Sequence, residues 1–321
     1  MKKVIAYSDT SGAIYWRLIF PFEYIRYNPH WSAFVSLKGI NEEEVTNADI
    51  VVLHNIVDKK GLDMIFKMGK KVVVDVDDNL SVGKTNPYYK QHKVLDANKI
   101  ISETIRQANA VTTTNEYLAD KLKRLNSNTL ILPNYYHPKW FGVSKIDNNT
   151  DDIRIGWTGS SSHFEDIKFI CPIMNKIMDK YPQVKFVVCG DFRFKNYIKH
   201  QSRLEVYEPT SFEAYPMRLS SMALDIGIAP LTDNDFNRSK SNIKFLEYSL
   251  LKIPSVCSKI VYNNYSLLTA ESSIDWIIKL SKLIENKDFR VKIGKSNYKY
   301  VKDNFNLENH YKEWIDVYSK L

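Results

Sequence analysis

The sequence predicts two doubly wound α/β domains facing each other across a cleft. Short apolar runs alternate with helix-like stretches along the whole chain, and a polar stretch near the middle interrupts that alternation once. The 321 residues also suit two domains of about 150 residues better than a single one. Buried strands separated by helices imply parallel sheets covered on both faces.

In the first half, Lys3–Ser8 is a short apolar strand. A Ser/Thr/Gly turn follows, and then Trp16–Tyr27, with apolar residues at helical spacing. Trp31–Leu37 reads as a second strand. Ile50–Leu53 ends at His54-Asn55, Lys71–Val76 ends at Asp77-Asp78, Ala110–Thr114 follows a polar helical stretch, and Thr129–Leu132 ends at Pro133-Asn134. The first domain spans 1–140, and the polar stretch 141–152 is its linker to the second. In the second domain, 153–303, strands are expected at Arg154–Trp157, Val184–Val188, Leu204–Tyr207, Ile226–Ala229 and Ser255–Ser258. Helices are expected at Phe169–Lys180, Asn242–Leu251, Ser272–Asn286 and Phe289–Asp303. The segment 304–321 reads as a C-terminal helix, a candidate to pack back on the first domain. In such folds ligands bind at the carboxyl ends of the strands.

Apolar residues make up 44% of the chain and aromatics 13%, enough for a core in each half. The three cysteines, Cys171, Cys189 and Cys257, have no CxxC spacing, which argues against a disulfide framework or a zinc site and fits a reducing cytoplasm. The N-terminus reads as a strand rather than a signal peptide. No apolar run approaches the roughly 20 residues that span a bilayer. A net charge of +8 attracts phosphates, whether on a nucleotide, an anionic membrane or a nucleic acid. An ordinary lysine-rich solvated surface is the other reading of that charge.

The most informative segment runs from Asp235 to Tyr248. A polar loop with Arg238 and Lys240 leads into a helix, whose free N–H groups and partial positive charge suit a phosphate. Ser239, Ser241 and Asn242 are candidate caps. Lys240 and Lys244 add full charges, and Glu247 lies further along the helix, where a carboxylate accepts bonds from sugar hydroxyls. A capped amphipathic helix with a solvated basic start is the alternative.

This segment, Ser239-Lys240-Ser241-Asn242-Ile243-Lys244-Phe245-Leu246-Glu247-Tyr248, resembles the donor-binding motif of retaining glycosyltransferases of GT-B architecture, family four type (glycosyl transferases group 1). The fold it implies is a pair of Rossmann-like domains. In that family a first Glu touches the donor sugar and a second, eight residues on, touches the nucleotide ribose. Glu247 matches the second and Ser239 stands at the first, as in a subgroup reading SKSxxKxLEY. Ile155-Gly156-Trp157-Thr158-Gly159 with His163 and Asp166 resembles the opening strand and loop of the donor domain. The basic residues that grip the diphosphate in many members are absent there. Gly159, Ser160 and the Lys240/Lys244 region are then expected to hold the phosphates, with Ser241, Asn242 and Ile243 at the helix start. Cys189-Gly190-Asp191 matches a nucleotide-base position. The resemblance implies a nucleotide-sugar donor, UDP-sugar first, with no cofactor and no metal.

Val73–Leu80, with Asp75, Asp77 and Asp78, resembles the subgroup's aspartate-rich strand end. Clustered aspartates can also hold a hard metal, and a solvated strand end is a third reading. Asp77 or Asp78 is read as contacting donor sugar or acceptor. His54, at another strand end, is a candidate to bond the donor sugar or orient the acceptor, and a structural histidine is its alternative. Asp9, Ser11 and Gly12 follow the first strand, and Arg17 is placed to reach a phosphate or to form a surface ion pair. The expected catalytic set is therefore Asp77, Asp78, His54 and Lys240. The expected donor set is Gly159, Ser160, His163, Asp191, Ser239, Lys240, Ser241, Asn242, Ile243, Lys244 and Glu247.

The function expected is hexosyl transfer with retention to a hydroxyl acceptor, a glycan or lipid-linked glycan, in the cytoplasm or at a membrane surface. A DNA acceptor, as in transfer to modified bases of viral DNA, stays open, as does peripheral membrane contact. Two other readings are a nucleotide-sugar epimerase and a non-catalytic binding scaffold. The oligomeric state is not expressed in the pattern.

Overall fold

A computed structural model describes residues 1–8, 12–79, 96–190, 193–265 and 268–321. The chain divides into two compact units, one comprising Met1–His137, Arg238–Ser241 and Asn306–Leu321, the other Pro138–Asn237 and Asn242–Phe305.

The first unit is built on a six-stranded parallel sheet of order β2-β1-β3-β4-β5-β6. Its strands are β1 (Lys2–Ser8), β2 (Trp31–Ser36), β3 (Ile50–His54), β4 (Lys71–Val76), β5 (Ala110–Thr113) and β6 (Thr129–Ile131). β3 is buried along its whole length, which is why it reads Ile-Val-Val-Leu without alternation. Register places Ser8 of β1 opposite His54 of β3, and His54 opposite Asp75 of β4. Three polar side chains thus form a row across the carboxyl ends of three neighbouring strands.

Three helices in this unit were not expected, Glu42–Asn47, Lys59–Lys67 and Glu116–Leu122. Each starts from a side chain, Asn41, Asp58 or Asn115, that accepts a bond from the first turn. All three are too short to impose a readable period. The expected helix Trp16–Tyr27 is a five-residue π-helical turn, Tyr15–Ile19, running into an α-helix, Phe20–Ile25.

Residues 306–321 return to this unit. Leu307 N–H donates to the Tyr136 carbonyl, and the helix Lys312–Ser319 buries Trp314 and Tyr318. The Tyr318 ring lies 6.2 Å from both Phe22 and Trp31.

The second unit has its own six-stranded parallel sheet, of order β12-β11-β10-β7-β8-β9. It comprises β7 (Ile153–Gly159), β8 (Val184–Gly190), β9 (Leu204–Tyr207), β10 (Ile226–Ala229), β11 (Ser255–Ser258) and the two-residue β12 (Thr269–Ala270). Its core joins Ile155, Phe186, Ile228 and Val256 from the sheet to Ile170, Met174 and Ile177 of the helix Phe164–Lys180 and to Trp276 and Leu280 of the helix Ser273–Glu285. Residues 141–152 carry no helix or strand and belong to this unit, where Asn148 donates to the Asp225 carboxylate at 2.9 Å.

Candidate functional site

In the first unit the polar row at the strand ends becomes a charged cluster. Arg17, in the π-helical turn, is fully buried and donates to both carboxylate oxygens of Asp75, at 3.0 and 2.7 Å. It also reaches the Leu132 carbonyl at 2.5 Å and Asn134 Oδ1 at 3.0 Å, while Thr112 donates to Asp75 at 2.6 Å. The expectation that Arg17 meets a phosphate or forms a surface ion pair is therefore corrected. Its guanidinium is spent inside the domain, where a buried charge needs a paired and bonded counter-charge. Burial alone would lower the Arg17 pKa, but Asp75 outweighs it and holds the value above the ordinary one.

His54 is also buried. Its Nδ1 lies 2.9 Å from Ser8 Oγ and its Nε2 lies 3.1 Å from Asp77 Oδ1. Both ring nitrogens of His54 are thus engaged within the unit, one by Ser8 and one by Asp77. Burial would lower the His54 pKa, yet the charge and hydrogen bond of Asp77 raise it. Conversely, burial would raise Asp77, but His54, Arg17 and Lys240 pull it below the ordinary carboxylate range.

Asp78 lies just past the end of β4. Lys240 Nζ donates to its Oδ2 at 2.6 Å. Partial burial, aided by the like charge of Asp77, raises the Asp78 pKa against the opposing pull of Lys240.

The backbone around Lys240 is gripped by Asn115, whose Nδ2 donates to the Ser239 and Lys240 carbonyls at 2.9 and 3.1 Å. Asn134 donates to Ser241 Oγ at 2.9 Å. Ser239 is fully buried.

In the second unit, β7 ends at Gly159, and a turn through Ser160 leads to His163 and the helix Phe164–Lys180. Ser160 Oγ bonds Ser162 Oγ at 2.8 Å, and His163 Nδ1 lies 2.9 Å from Asp166 Oδ2. The other oxygen of Asp166 accepts from the Thr232 amide and hydroxyl and from Asn237 Nδ2, at 2.8, 2.9 and 2.7 Å. His163 is thereby fixed beside the Gly159–Ser160 turn. Gly190, at the end of neighbouring β8, has φ +127, and a Cβ there would lie 1.8 Å from the Gly159 carbonyl oxygen. Only glycine lets these two strand ends approach so closely. Asp191 lies outside the described residues.

The helix Ile243–Leu250 starts after Asn242. The N-cap residue Asn242 makes no side-chain cap bond, so the expected capping by Asn242 is corrected. Asn242 is buried, and among the described residues its Nδ2 has no partner. Lys244 Nζ donates to Glu247 Oε2 at 2.8 Å and to the Tyr215 hydroxyl at 3.1 Å. Tyr215 in turn bonds Glu247 Oε2 at 2.8 Å and Thr158 Oγ1 at 2.8 Å.

Sequence reasoning missed Ser8, Asn115, Asn237 and Tyr215. No local spacing marks any of them; Tyr215 meets Glu247 across 32 positions of the chain. Among the described residues no group of three or more His, Cys, Asp or Glu is arranged to hold a metal ion. Nor is any helix among them long and apolar enough to cross a membrane.

No protein-family model and no curated protein matches the chain. Solved structures do. TarM superposes with a TM-score of 0.62 at 12% identity over 84% of this chain, which spans only 54% of the TarM chain. A variant of S. aureus TarM has been solved with fondaparinux, α-GlcNAc-glycerol and UDP. A glycosyltransferase from Rickettsia africae matches with a TM-score of 0.67 at 11% identity, over 99% of this chain and 98% of its own. A putative UDP-N-acetylglucosamine 2-epimerase from Listeria monocytogenes gives 0.51 at 12% identity over 94% of each chain. At such identities the likeness is one of architecture: the chain has the GT-B type of fold, with two Rossmann-like domains each built on a parallel sheet.

Proposed function

We propose that the chain is a glycosyltransferase that moves a hexose from a nucleotide-sugar to a hydroxyl acceptor, a glycan or lipid-linked glycan, with retention and without a metal. The observation that carries this reading is the Lys244–Glu247–Tyr215 cluster at the start of the helix Ile243–Leu250. There, free backbone N–H groups, a lysine and a fixed carboxylate stand within one turn. TarM in complex with UDP, which shares the fold, makes a UDP-sugar the first donor to test.

In this reading Ser239–Lys244, Gly159, Ser160 and His163 receive the diphosphate, and Glu247 receives the ribose. Asp191 is assigned to the base on the resemblance alone. As the glycosidic bond breaks, negative charge grows on the leaving diphosphate. Lysines and N–H groups already in place stabilise that charge without reorganising. Asp77 and Asp78 are assigned to the sugar and acceptor on the resemblance alone, and His54 favours the ionised form of Asp77.

Thermal unfolding with UDP-, GDP-, TDP- and ADP-sugars tests the donor. A ligand at about 100 times its Kd stabilises the folded state by about 2.7 kcal/mol. The donor reading is wrong if none of the four raises the melting temperature. Activity that survives EDTA, and a product whose anomeric configuration matches the donor, test the finer points. Epimerised sugar appearing without acceptor would mark an epimerase instead.

A further inference from the structure

We infer that Tyr215 is a positioning residue that turns Glu247 toward the two ribose hydroxyls, making the site selective for ribonucleoside diphosphates over analogues that lack both hydroxyls. This rests on the donor reading above and adds to it a residue and a discrimination. A phenol has one proton and two lone pairs. Glu247 is an acceptor and Lys244 a donor, so the Tyr215 proton goes to Glu247 Oε2, and Thr158 and Lys244 donate to the phenol oxygen. The hydroxyl is then saturated and its direction is fixed.

Glu247 Oε2 receives two bonds, from Tyr215 and Lys244, both at 2.8 Å. Rotating the carboxylate would break both. Among the described residues Oε1 accepts no hydrogen bond, so it is the oxygen held ready for a diol. Burial, reinforced by Glu247, holds the Tyr215 pKa well above its ordinary value, so the phenol stays a donor. The Lys244 ammonium also sits 5.1 Å from the centre of the Tyr215 ring. Tyr215→Phe would therefore keep the ring and its cation contact and remove only the hydroxyl. A preorganised acceptor gains affinity because no ordering cost remains on binding. A diol ligand benefits from this and a ligand without the diol does not.

The experiment is calorimetric titration of the full chain with UDP and with 2′,3′-dideoxy-UDP, for the wild type and Tyr215→Phe. The wild type is expected to bind UDP at least tenfold more tightly than the dideoxy analogue. In Tyr215→Phe that ratio is expected to fall to threefold or less, through weaker UDP binding alone. An undiminished ratio in Tyr215→Phe overturns the inference while leaving the donor reading intact. Failure of the wild type to bind any of UDP, GDP or ADP removes the donor reading and this inference with it. Should Tyr215→Phe fold poorly, Thr158→Val removes the donor that orients the phenol and is expected to lower the ratio in the same direction.

Discussion

Arg17 and Asp75 meet along two parallel bonds, Nε to Oδ2 at 3.0 Å and Nη2 to Oδ1 at 2.7 Å, with both side chains sealed from solvent. The pair ties the π-helical turn to the centre of the first sheet, and Leu132 and Asn134 extend the tie to the segment after β6. Removing one member of such a pair strands the other as a buried charge, at a cost of about 3–5 kcal/mol. Arg17→Leu and Asp75→Leu should each lower the urea midpoint accordingly. The double variant should lose less than the sum, since neither charge is then stranded.

His54 and Asp77 set the pH range over which the first unit is most stable. His54 is raised in the folded state, so its contribution is complete below about pH 6.5, its ordinary value, and is lost as pH rises through the folded value. Asp77 is lowered, so its contribution is present above about pH 3.9 and is lost as pH falls through the folded value. Arg17, Asp75, Asp78 and Lys240 complete the charged surroundings and temper both limbs. His54→Gln should abolish the alkaline decline and shift the acid decline to higher pH. Urea unfolding from pH 3 to 10 checks both.

Lys240 is expected to separate donor binding from stability. Its side chain is 18% exposed and that of Asp78 36%, so water screens their pair. Pairs of this kind contribute about 0–1 kcal/mol. Lys240→Ala should therefore leave the melting temperature within a few degrees of wild type and reduce nucleotide-sugar affinity at least tenfold by calorimetry. Combined with Glu247→Ala it should eliminate turnover. Wild-type turnover in the double variant would refute the assigned donor site.

Gly190 offers a test through the backbone. A methyl group there would meet the Gly159 carbonyl oxygen, and the residue's φ is one that side-chain-bearing residues rarely adopt. Gly190→Ala should cost at least about 1–3 kcal/mol of strain. It should also push the Gly159–Ser160 turn away from its position, weakening donor binding beyond the loss of stability. Denaturation and titration of the same variant measure the two effects separately.

The sheets were legible because buried parallel strands write themselves as short apolar runs; Lys71–Val76 and Ile226–Ala229 are such cases. β12 was not, because two residues carry no pattern. The SKSxxKxLEY segment marked the helix Ile243–Leu250 through a family resemblance. Its capping was misjudged because residue types alone do not say where Asn242 points. Arg17 misled for a related reason. A charged residue in a helical stretch reads as exposed, and only the distant Asp75, 58 positions away, explains its burial. Ser8 and Tyr215 were invisible for the same cause, since each acts through a partner that folding alone brings near.

The return of residues 306–321 to the first unit bears on how the protein is made. On the ribosome, the seats for Tyr318 beside Phe22 and Trp31 and for Trp314 beside Tyr135 emerge long before the helix that fills them. At roughly 5–20 residues per second, the intervening 138–305 stretch takes on the order of ten seconds or more to translate. For that interval the nascent amino-terminal half exposes an aromatic surface that invites chaperones or aggregation, so slower elongation should lower soluble yield unless holdases are supplied.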